Sequence, residues 1–261
     1  MAAESDIGAR FDLPPEKALA FFRAKGYAVG FDWRDVWQQE HDAAFTVAKL
    51  MDLDLLADVR AAVDKAIADG QTLQDFRQLL EPRLVEAGWW GKAEMPDPLT
   101  GETTLVQLGS PRRLRTIFQT NMQTAYAAGQ WAEIQETKDE APYLMYDAVD
   151  DEVTRPEHRD WDGIVLPADD PWWSTHMPPN GWNCRCGVVQ LSATQAKGLG
   201  YQPTDAAPPS PTRTYTNPRT GAVEQVPKGI DPGFAYNPGE SRTNLLKQQL
   251  ADKQRAFSEG N

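Results

Sequence analysis

Residues 110–137 read SPRRLRTIFQTNMQTAYAAGQWAEIQET, and this stretch predicts a single long helix. Ser110 offers an N-cap side chain, and Pro111 suits the first helical position because its nitrogen needs no hydrogen-bond partner there. Apolar residues recur at helical spacing along it, namely Leu114, Ile117, Phe118, Met122, Ala125 and Tyr126. The pattern before this helix favours further helices and the pattern after it favours strands, so the helix marks the change that sets the fold class.

Upstream of the long helix, residues 14–88 are patterned as helices almost throughout. Capping and stop signals divide them: Pro14 and Gly26 bound the first helix, Asp32 caps a second over residues 33–50, Gly70 ends the third, and Thr72 with Asp75 opens the fourth. We therefore predict a helical N-terminal region over residues 1–92. A turn-rich linker with a short hairpin follows over residues 93–109.

Downstream of the long helix, three short apolar runs are rich in strand-forming residues. They are YLMYDAV (143–149), GIVLP (163–167) and CGVVQL (186–191). Together they predict a small sheet docked on the helices. We therefore assign residues 110–200 to one domain made of the long helix and this sheet, which carries the sequence Cys-Arg-Cys.

Residues 201–261 form a proline-rich segment with little periodicity, which cannot build a core of its own. We interpret it as an extended C-terminal arm ending in a short amphipathic helix. The apolar residues within it favour an arm docked on a protein surface over a free one; they are Val226, Ile230, Phe234 and Tyr236. The predicted class is α+β, with a helix-rich N-terminal body, a small β-containing domain and this arm.

Composition restricts the function. The chain of 261 residues has a formal net charge of −12, which argues against a grip on nucleic acid by the whole surface. It holds no run of about 20 apolar residues, the length that a membrane-spanning helix requires, and its start lacks the order of a secretory signal. We expect a cytosol-like compartment in which the two cysteines stay reduced.

Both cysteines and two of the three histidines fall in the strand-rich part of the chain. His158, His176, Cys184 and Cys186 have the chemistry of a tetrahedral zinc site with two imidazoles and two thiolates. The spacing is unusual, because structural zinc sites generally place two or more residues between paired cysteines. The alternative is that both cysteines are small buried residues and that the histidines bond to loop backbone.

Three arginines occupy the first turns of the long helix, where the helix dipole disfavours cations. Arg112, Arg113 and Arg115 therefore indicate an anionic partner, either acidic side chains or phosphate, although pairing with this chain's own acids explains them as well. An internal DNA-contacting protein would use these three together with Arg185. The overall acidity weakens that hypothesis.

The order of several motifs resembles the phage head morphogenesis family, especially the F-type minor head protein of Mu-like phages. The motifs are RLRTIFQTNMQTAYAAG (113–129), DDEVTRPEHRDWDG (150–163) and PPNGWNCRCGV (178–188). One departure is Asn121, where many members carry glutamate. The resemblance implies a minor virion component at the portal vertex and capsid interior, made in the host cytoplasm, that assists head assembly and DNA packaging or delivery.

The same resemblance implies the portal protein as a partner, with the major capsid protein and packaged DNA as further candidates and no membrane. It also implies a protein that is not an enzyme, and the sequence contains no nucleophile elbow, phosphate-binding glycine loop or HExxH motif. The enzymatic alternative is a metal-dependent hydrolase or nuclease that uses His158 with Cys184 and Cys186.

Overall fold

The computed structural model describes residues 15–202 and 206–240, together with Arg255. The helices are α1 (Pro15–Arg23), α2 (Glu40–Ala43), α3 (Leu53–Asp69), α4 (Leu73–Glu86), α5 (Pro111–Thr137), α6 (Pro156–Trp161), α7 (Trp173–His176) and α8 (Ala193–Gly198). The strands are β1 (Gly26–Tyr27), β2 (Ala44–Phe45), β3 (Lys92–Pro96), β4 (Thr103–Gln107), β5 (Tyr143–Asp147), β6 (Val165–Pro167), β7 (Gly187–Leu191), β8 (Thr212–Thr216) and β9 (Val223–Pro227). These helices and small sheets confirm the predicted α+β class.

Local signals set the ends of the longer helices. The Ser110 side chain accepts a hydrogen bond of 3.3 Å from the backbone nitrogen of Arg113 and so begins α5. Gly70 ends α3 in the left-handed conformation, with φ of 63°. Thr72 and Asp75 form the predicted capping box at the start of α4. Each signal provides partners for backbone groups that a helix end would otherwise leave unsatisfied.

The prediction of one helix over residues 33–50 is wrong. Within this segment only α2 is helical, and β2 pairs with β1 as two short parallel strands. Acidic side chains satisfy backbone donors in turns here: Asp32 accepts from the nitrogen of Arg34, and Glu40 accepts from the nitrogen of Trp37. Because such bonds compete with the helical ladder, helical spacing of the apolar residues did not produce one continuous helix.

A first hydrophobic core lies between α1, α3, α4 and the N-terminal half of α5. Its fully buried large side chains include Phe22, Phe45, Leu50, Leu56, Ile67, Phe76, Leu84 and Leu114. Helix α1 crosses α5 closely at Gly129, where an added Cβ would lie 2.9 Å from the backbone nitrogen of Ala18. The crossing therefore depends on a residue without a side chain.

The predicted linker contains an antiparallel hairpin. Strand β3 pairs with β4 in a register that runs from Lys92 opposite Gln107 to Pro96 opposite Thr103. Val106 is buried against the first core, whereas the neighbouring Leu105 is 65% exposed. One face of the hairpin thus packs on the first core, and the other face is exposed.

A second hydrophobic core forms around the small sheet. The sheet is antiparallel with strand order β6-β5-β7, which agrees with the three predicted strand segments. Its buried residues include Leu144, Tyr146, Trp161, Leu166, Trp172 and Trp173, with Trp131 and Ile134 from the second half of α5. Helix α5 therefore contributes to both cores. The predicted divisions after residues 92, 109 and 200 stay predictions.

Residues 206–240 of the proline-rich arm pack on the rest of the protein. This segment contains an antiparallel hairpin of β8 and β9 rather than a wholly extended chain. Val226, Ile230 and Phe234 enter the second core, and Tyr236 is half-buried. The predicted C-terminal helix falls beyond the described residues, apart from Arg255, which is helical.

The arm also contacts the N-terminal body. Arg219 forms ion pairs with Asp35, at 2.6 Å, and with Asp97 of the linker hairpin. The rings of Trp37 and Tyr215 stack with their centroids 5.6 Å apart. Side chains from three distant parts of the sequence are therefore joined at one surface.

Candidate metal centre

His158 is held on α6 in the second core. Pro156 begins this short helix at a position where proline is favoured, and Gly163, with φ of 75°, follows its end. His158 and Trp161 are three residues apart, so they share one face of the helix, and both are buried. Their rings stack with centroids 5.1 Å apart, which fixes the plane of the imidazole.

The two cysteines lie in the loop before β7, not in the strand. Residues 178–186 turn tightly: Pro178–Pro179 is cis, Asn183 is left-handed, and the nitrogen of Cys184 donates to the oxygen of Gly181 at 3.1 Å. Asn180 is fully buried and accepts a hydrogen bond of 2.9 Å from the hydroxyl of Tyr146 on β5. The loop is therefore fastened to the sheet beside the cysteines.

The fold brings three donor atoms together. The Sγ atoms of Cys184 and Cys186 lie 3.8 and 3.3 Å from Nδ1 of His158, and all three atoms are within 4.8 Å of one another. His158 is 2% exposed and Cys184 3%. Among the histidine, cysteine, aspartate and glutamate side chains of the described residues, these three form the group whose geometry suits a metal ion.

The pKa values of the two thiols are shifted in opposite directions. The pKa of Cys186 is lowered to about 4, mainly by the hydrogen bond from Cys184 and also by His158 and Tyr146. The pKa of Cys184 is raised, first by its contact with Cys186 and then by burial. As thiolates, both sulfurs are ligands for a metal ion.

His176 does not join this group. It lies on α7, stacked on Trp172 with ring centroids 4.2 Å apart. Its Nδ1 donates to the carbonyl of Trp172 at 3.1 Å, and its Nε2 accepts from the hydroxyl of Ser210 at 2.8 Å. Burial lowers the pKa of His176 to about 4. Both ring nitrogens have partners, so the structure assembles three of the four predicted metal ligands and leaves this one outside.

The four predicted contact arginines divide into two pairs. Arg113 donates to the carbonyls of Gln107 and Ala48 at 2.7 and 2.5 Å, and burial lowers its pKa to about 10. Arg185 forms an ion pair of 2.6 Å with Asp151. Arg112 and Arg115 are exposed, and neither forms an ion pair within the described residues. Among the described residues, Arg185 is therefore the one of the four that pairs with an acidic side chain, whereas Arg113 bonds to backbone carbonyls.

A cavity of about 650 Å³ lies between the N-terminal body, α5 and the arm. Its basic lining residues are Lys25, Lys49, Arg112 and Arg113, and none of its lining residues within the described chain is acidic. Asn121 also lines it. Its volume is in the range of small-molecule sites, and its charge favours anionic groups.

Sequence reasoning did not identify two residues near the three candidate metal ligands. Gly229 of the arm accepts a hydrogen bond of 2.9 Å from Nε2 of His158. Asp231 accepts from Arg155 at 2.7 Å and from the nitrogen of Trp182 at 2.9 Å. Both contacts link the arm to the α6 and cysteine segments. The glycines and proline of KGIDPG (228–233) are typical of a turn, but the sequence does not show what that turn contacts.

A family model described as Phage Mu protein F like protein matches residues 57–189, which include all three donor residues. Protein F of Escherichia phage Mu, named for capsid assembly, is 42% identical over 249 residues, covering 90% of this chain and 56% of that protein. The FluMu F protein of a Mu-like prophage in Haemophilus influenzae is 45% identical over 179 residues, covering 68% of this chain and 42% of that protein.

The chain spans about half the length of these curated relatives. No solved structure matches it significantly. Among the described helices, none combines the length and apolar character needed to cross a bilayer.

Proposed function

The chain belongs to the family of Phage Mu protein F-like proteins, and from this membership we propose that it acts in head assembly of a tailed phage or prophage as a minor component of the virion. The observation that carries the proposal is the 42% identity to a protein named for capsid assembly, which extends over 90% of this chain. The name of that relative refers to assembly and not to a catalytic activity.

The finer part of the proposal concerns location and partners. The protein binds the portal protein at the portal vertex inside the capsid, with the major capsid protein as a second partner, and helps DNA packaging or delivery. Support comes from the resemblance of the motifs and from Arg112 and Arg115, which are exposed at the start of α5 on a chain of net charge −12. Such a local cationic surface suits acidic side chains of a partner.

A hydrolytic role at His158 and the two cysteines is less well supported. His158 and Cys184 are almost completely buried, and Nε2 of His158 is already bonded to Gly229. A phosphodiester must reach a metal-bound water before it can be hydrolysed. The burial of these donors therefore favours a structural role for the centre.

The assembly role is tested in a phage or prophage that produces this protein. Deleting its gene should sharply reduce the number of DNA-filled heads counted by electron microscopy, and complementation should restore both the heads and the protein in purified particles, measured by mass spectrometry. Chemical cross-linking of purified heads should join it to the portal protein. Normal filled heads without the gene, with no protein in complemented heads, would contradict the proposal.

Contact with packaged DNA is a second candidate, favoured by the exposure of the same two arginines. The double variant Arg112→Gln/Arg115→Gln should reduce the slope of log binding constant against log salt by about 2 for duplex DNA. The control Arg77→Gln/Arg83→Gln removes the same charge from α4. Equal DNA binding by both variants, or no binding by the wild type, would reject this candidate and leave protein partners for Arg112 and Arg115.

A further inference from the structure

We propose that His158, Cys184 and Cys186 bind one Zn²⁺ ion through Nδ1 and the two Sγ atoms, the three donors that the described part of the chain brings together. The proposal rests on the geometry of these three side chains and is independent of the role in head assembly. Its function is structural: the ion joins α6 to the loop before β7.

The donor spacing fits a tetrahedral zinc ion. With Zn–S near 2.3 Å and Zn–N near 2.0 Å, tetrahedral angles place sulfur and nitrogen ligands about 3.5 Å apart. The two observed distances from Nδ1 of His158 are 3.8 and 3.3 Å. These values lie on either side of the ideal spacing. The three atoms can therefore reach one ion with small side-chain adjustments.

The hydrogen bond to Gly229 orients the imidazole for this role. A carbonyl oxygen only accepts, so Nε2 of His158 carries the proton in the 2.9 Å bond to Gly229. In the neutral ring, Nδ1 then has a lone pair that points to the two sulfurs. Metal-binding histidines commonly donate their second ring nitrogen to a carbonyl or carboxylate in this way, which fixes the tautomer and ring orientation.

Charge and ligand chemistry favour zinc over other common ions. Two thiolates and one neutral imidazole cancel the two positive charges of Zn²⁺, so the complex adds no net charge to a buried site. Both cysteines bind as thiolates, so binding of the ion releases thiol protons to solvent. Sulfur and imidazole ligands suit zinc, whereas magnesium and calcium prefer oxygen ligands. Only one residue separates the two cysteines, which would be unfavourable for zinc binding along a strand. Here both cysteines lie in a loop, so this spacing does not prevent their sulfurs from reaching one ion.

The ion would stabilise the junction of three segments. His158 belongs to α6, the cysteines belong to the loop before β7, and Gly229 belongs to the arm. Aromatic rings enclose the junction, including Tyr146 and Trp161, whose centroids are 5.6 Å apart. Removing the ion should therefore loosen the junction, including the arm.

The first test measures metal content. The full chain is expressed in zinc-supplemented medium, purified under reducing conditions without chelator, and examined by inductively coupled plasma mass spectrometry. We expect about one zinc per chain. Replacing zinc by Co²⁺ should give an intense sulfur-to-cobalt charge-transfer band in the near ultraviolet. Absence of zinc after purification and after dialysis against Zn²⁺ would overturn the proposal, as would an oxygen-type cobalt spectrum.

Variants separate metal binding from folding. Cys184→Ser/Cys186→Ser should lose the bound zinc, while His176→Gln, a change of another buried histidine outside the group, should keep it. If the double variant does not fold, the wild-type chain is tested with a strong chelator instead. The chelator should lower the Tm of the wild type by roughly 5 °C or more, and added Zn²⁺ should restore the Tm. Zinc retained by a folded double variant, or a Tm insensitive to chelator, would contradict a structural site.

Discussion

Nε2 of His158 lies 2.9 Å from the carbonyl oxygen of Gly229, a residue 71 positions later in the sequence. Gly229 has φ of 86°, and a Cβ there would lie 2.6 Å from Cβ of Glu157 and 2.7 Å from the ring of Trp161. The contact between helix and arm thus depends on a glycine for two reasons: its backbone conformation and the space around it.

We expect Gly229→Ala to lower the free energy of unfolding by about 2–4 kcal/mol, because backbone strain and steric clash add. It should also weaken zinc binding about 10-fold or more, since the ring of His158 loses its orientation. Urea denaturation and zinc titration measure these effects. Gly221→Ala is the matched control, because Gly221 also has positive φ, 74°, but nothing lies within 4 Å of its Cβ position. Equal losses in both variants would show that strain alone matters.

The crossing of α1 and α5 gives a second prediction. Gly129→Ala places a Cβ 2.9 Å from backbone of Ala18, so we expect a net loss of about 1–2 kcal/mol in the free energy of unfolding. Gly198→Ala in α8 gains the same methyl group with nothing within 4 Å and should be neutral or stabilising by up to about 1 kcal/mol. Thermal denaturation of both variants measures the difference. A Gly129→Ala protein as stable as the Gly198→Ala protein would show that the helices move apart without cost.

Stability should depend on pH through His176. Its pKa is lowered from 6.5 to about 4 by burial, so the unfolded chain binds a proton more readily than the folded one below pH 6.5. The stabilisation is complete above pH 6.5 and is lost as pH falls from 6.5 towards 4. Between pH 7.5 and 5 we expect a decrease of about 2 kcal/mol from this residue. Urea midpoints at both pH values should show a smaller decrease for His176→Gln; an identical decrease would assign the effect to other groups.

Arg219 should control the attachment of the arm to the N-terminal body. It pairs with Asp35 and Asp97, and only 11% of its side chain is exposed. Arg219→Met removes both ion pairs while keeping much of the aliphatic chain. We expect faster amide hydrogen exchange across β8 and β9, measured by mass spectrometry, because opening of the arm becomes easier. Arg159→Met, which removes an exposed ion pair with Asp150, should leave exchange in β8 and β9 unchanged.

Signals that act within a few residues were sufficient to predict much of the fold. Ser110 and Pro111 begin α5 as their local chemistry requires, and Gly70 ends α3. The prediction failed at residues 33–50, where the apolar spacing is compatible with a helix. Trp37 there stacks on Tyr215 and donates to Glu224 at 2.6 Å, and contacts so distant in sequence cannot be read from local periodicity.

The candidate site shows the same limit. Residue chemistry identified His158 and both cysteines, and their proximity in the structure depends on a loop whose turns the sequence indicated only in general terms. His176 has the same chemistry but packs against Trp161 and Trp172, and Ser210 bonds to its second ring nitrogen. Residue type and spacing could not separate the two histidines, because the difference arises from packing between α6, α7 and the arm.

The return of the arm to the N-terminal body also constrains the order of events during synthesis. Trp37 and Asp35 leave the ribosome roughly 180 residues before Tyr215 and Arg219, which complete their surface. At a typical rate of about 5–20 residues per second, that surface stays uncovered for about 10 seconds or longer. The nascent chain therefore exposes the face that bears Trp37 until residues 212–219 have been synthesised and can cover it.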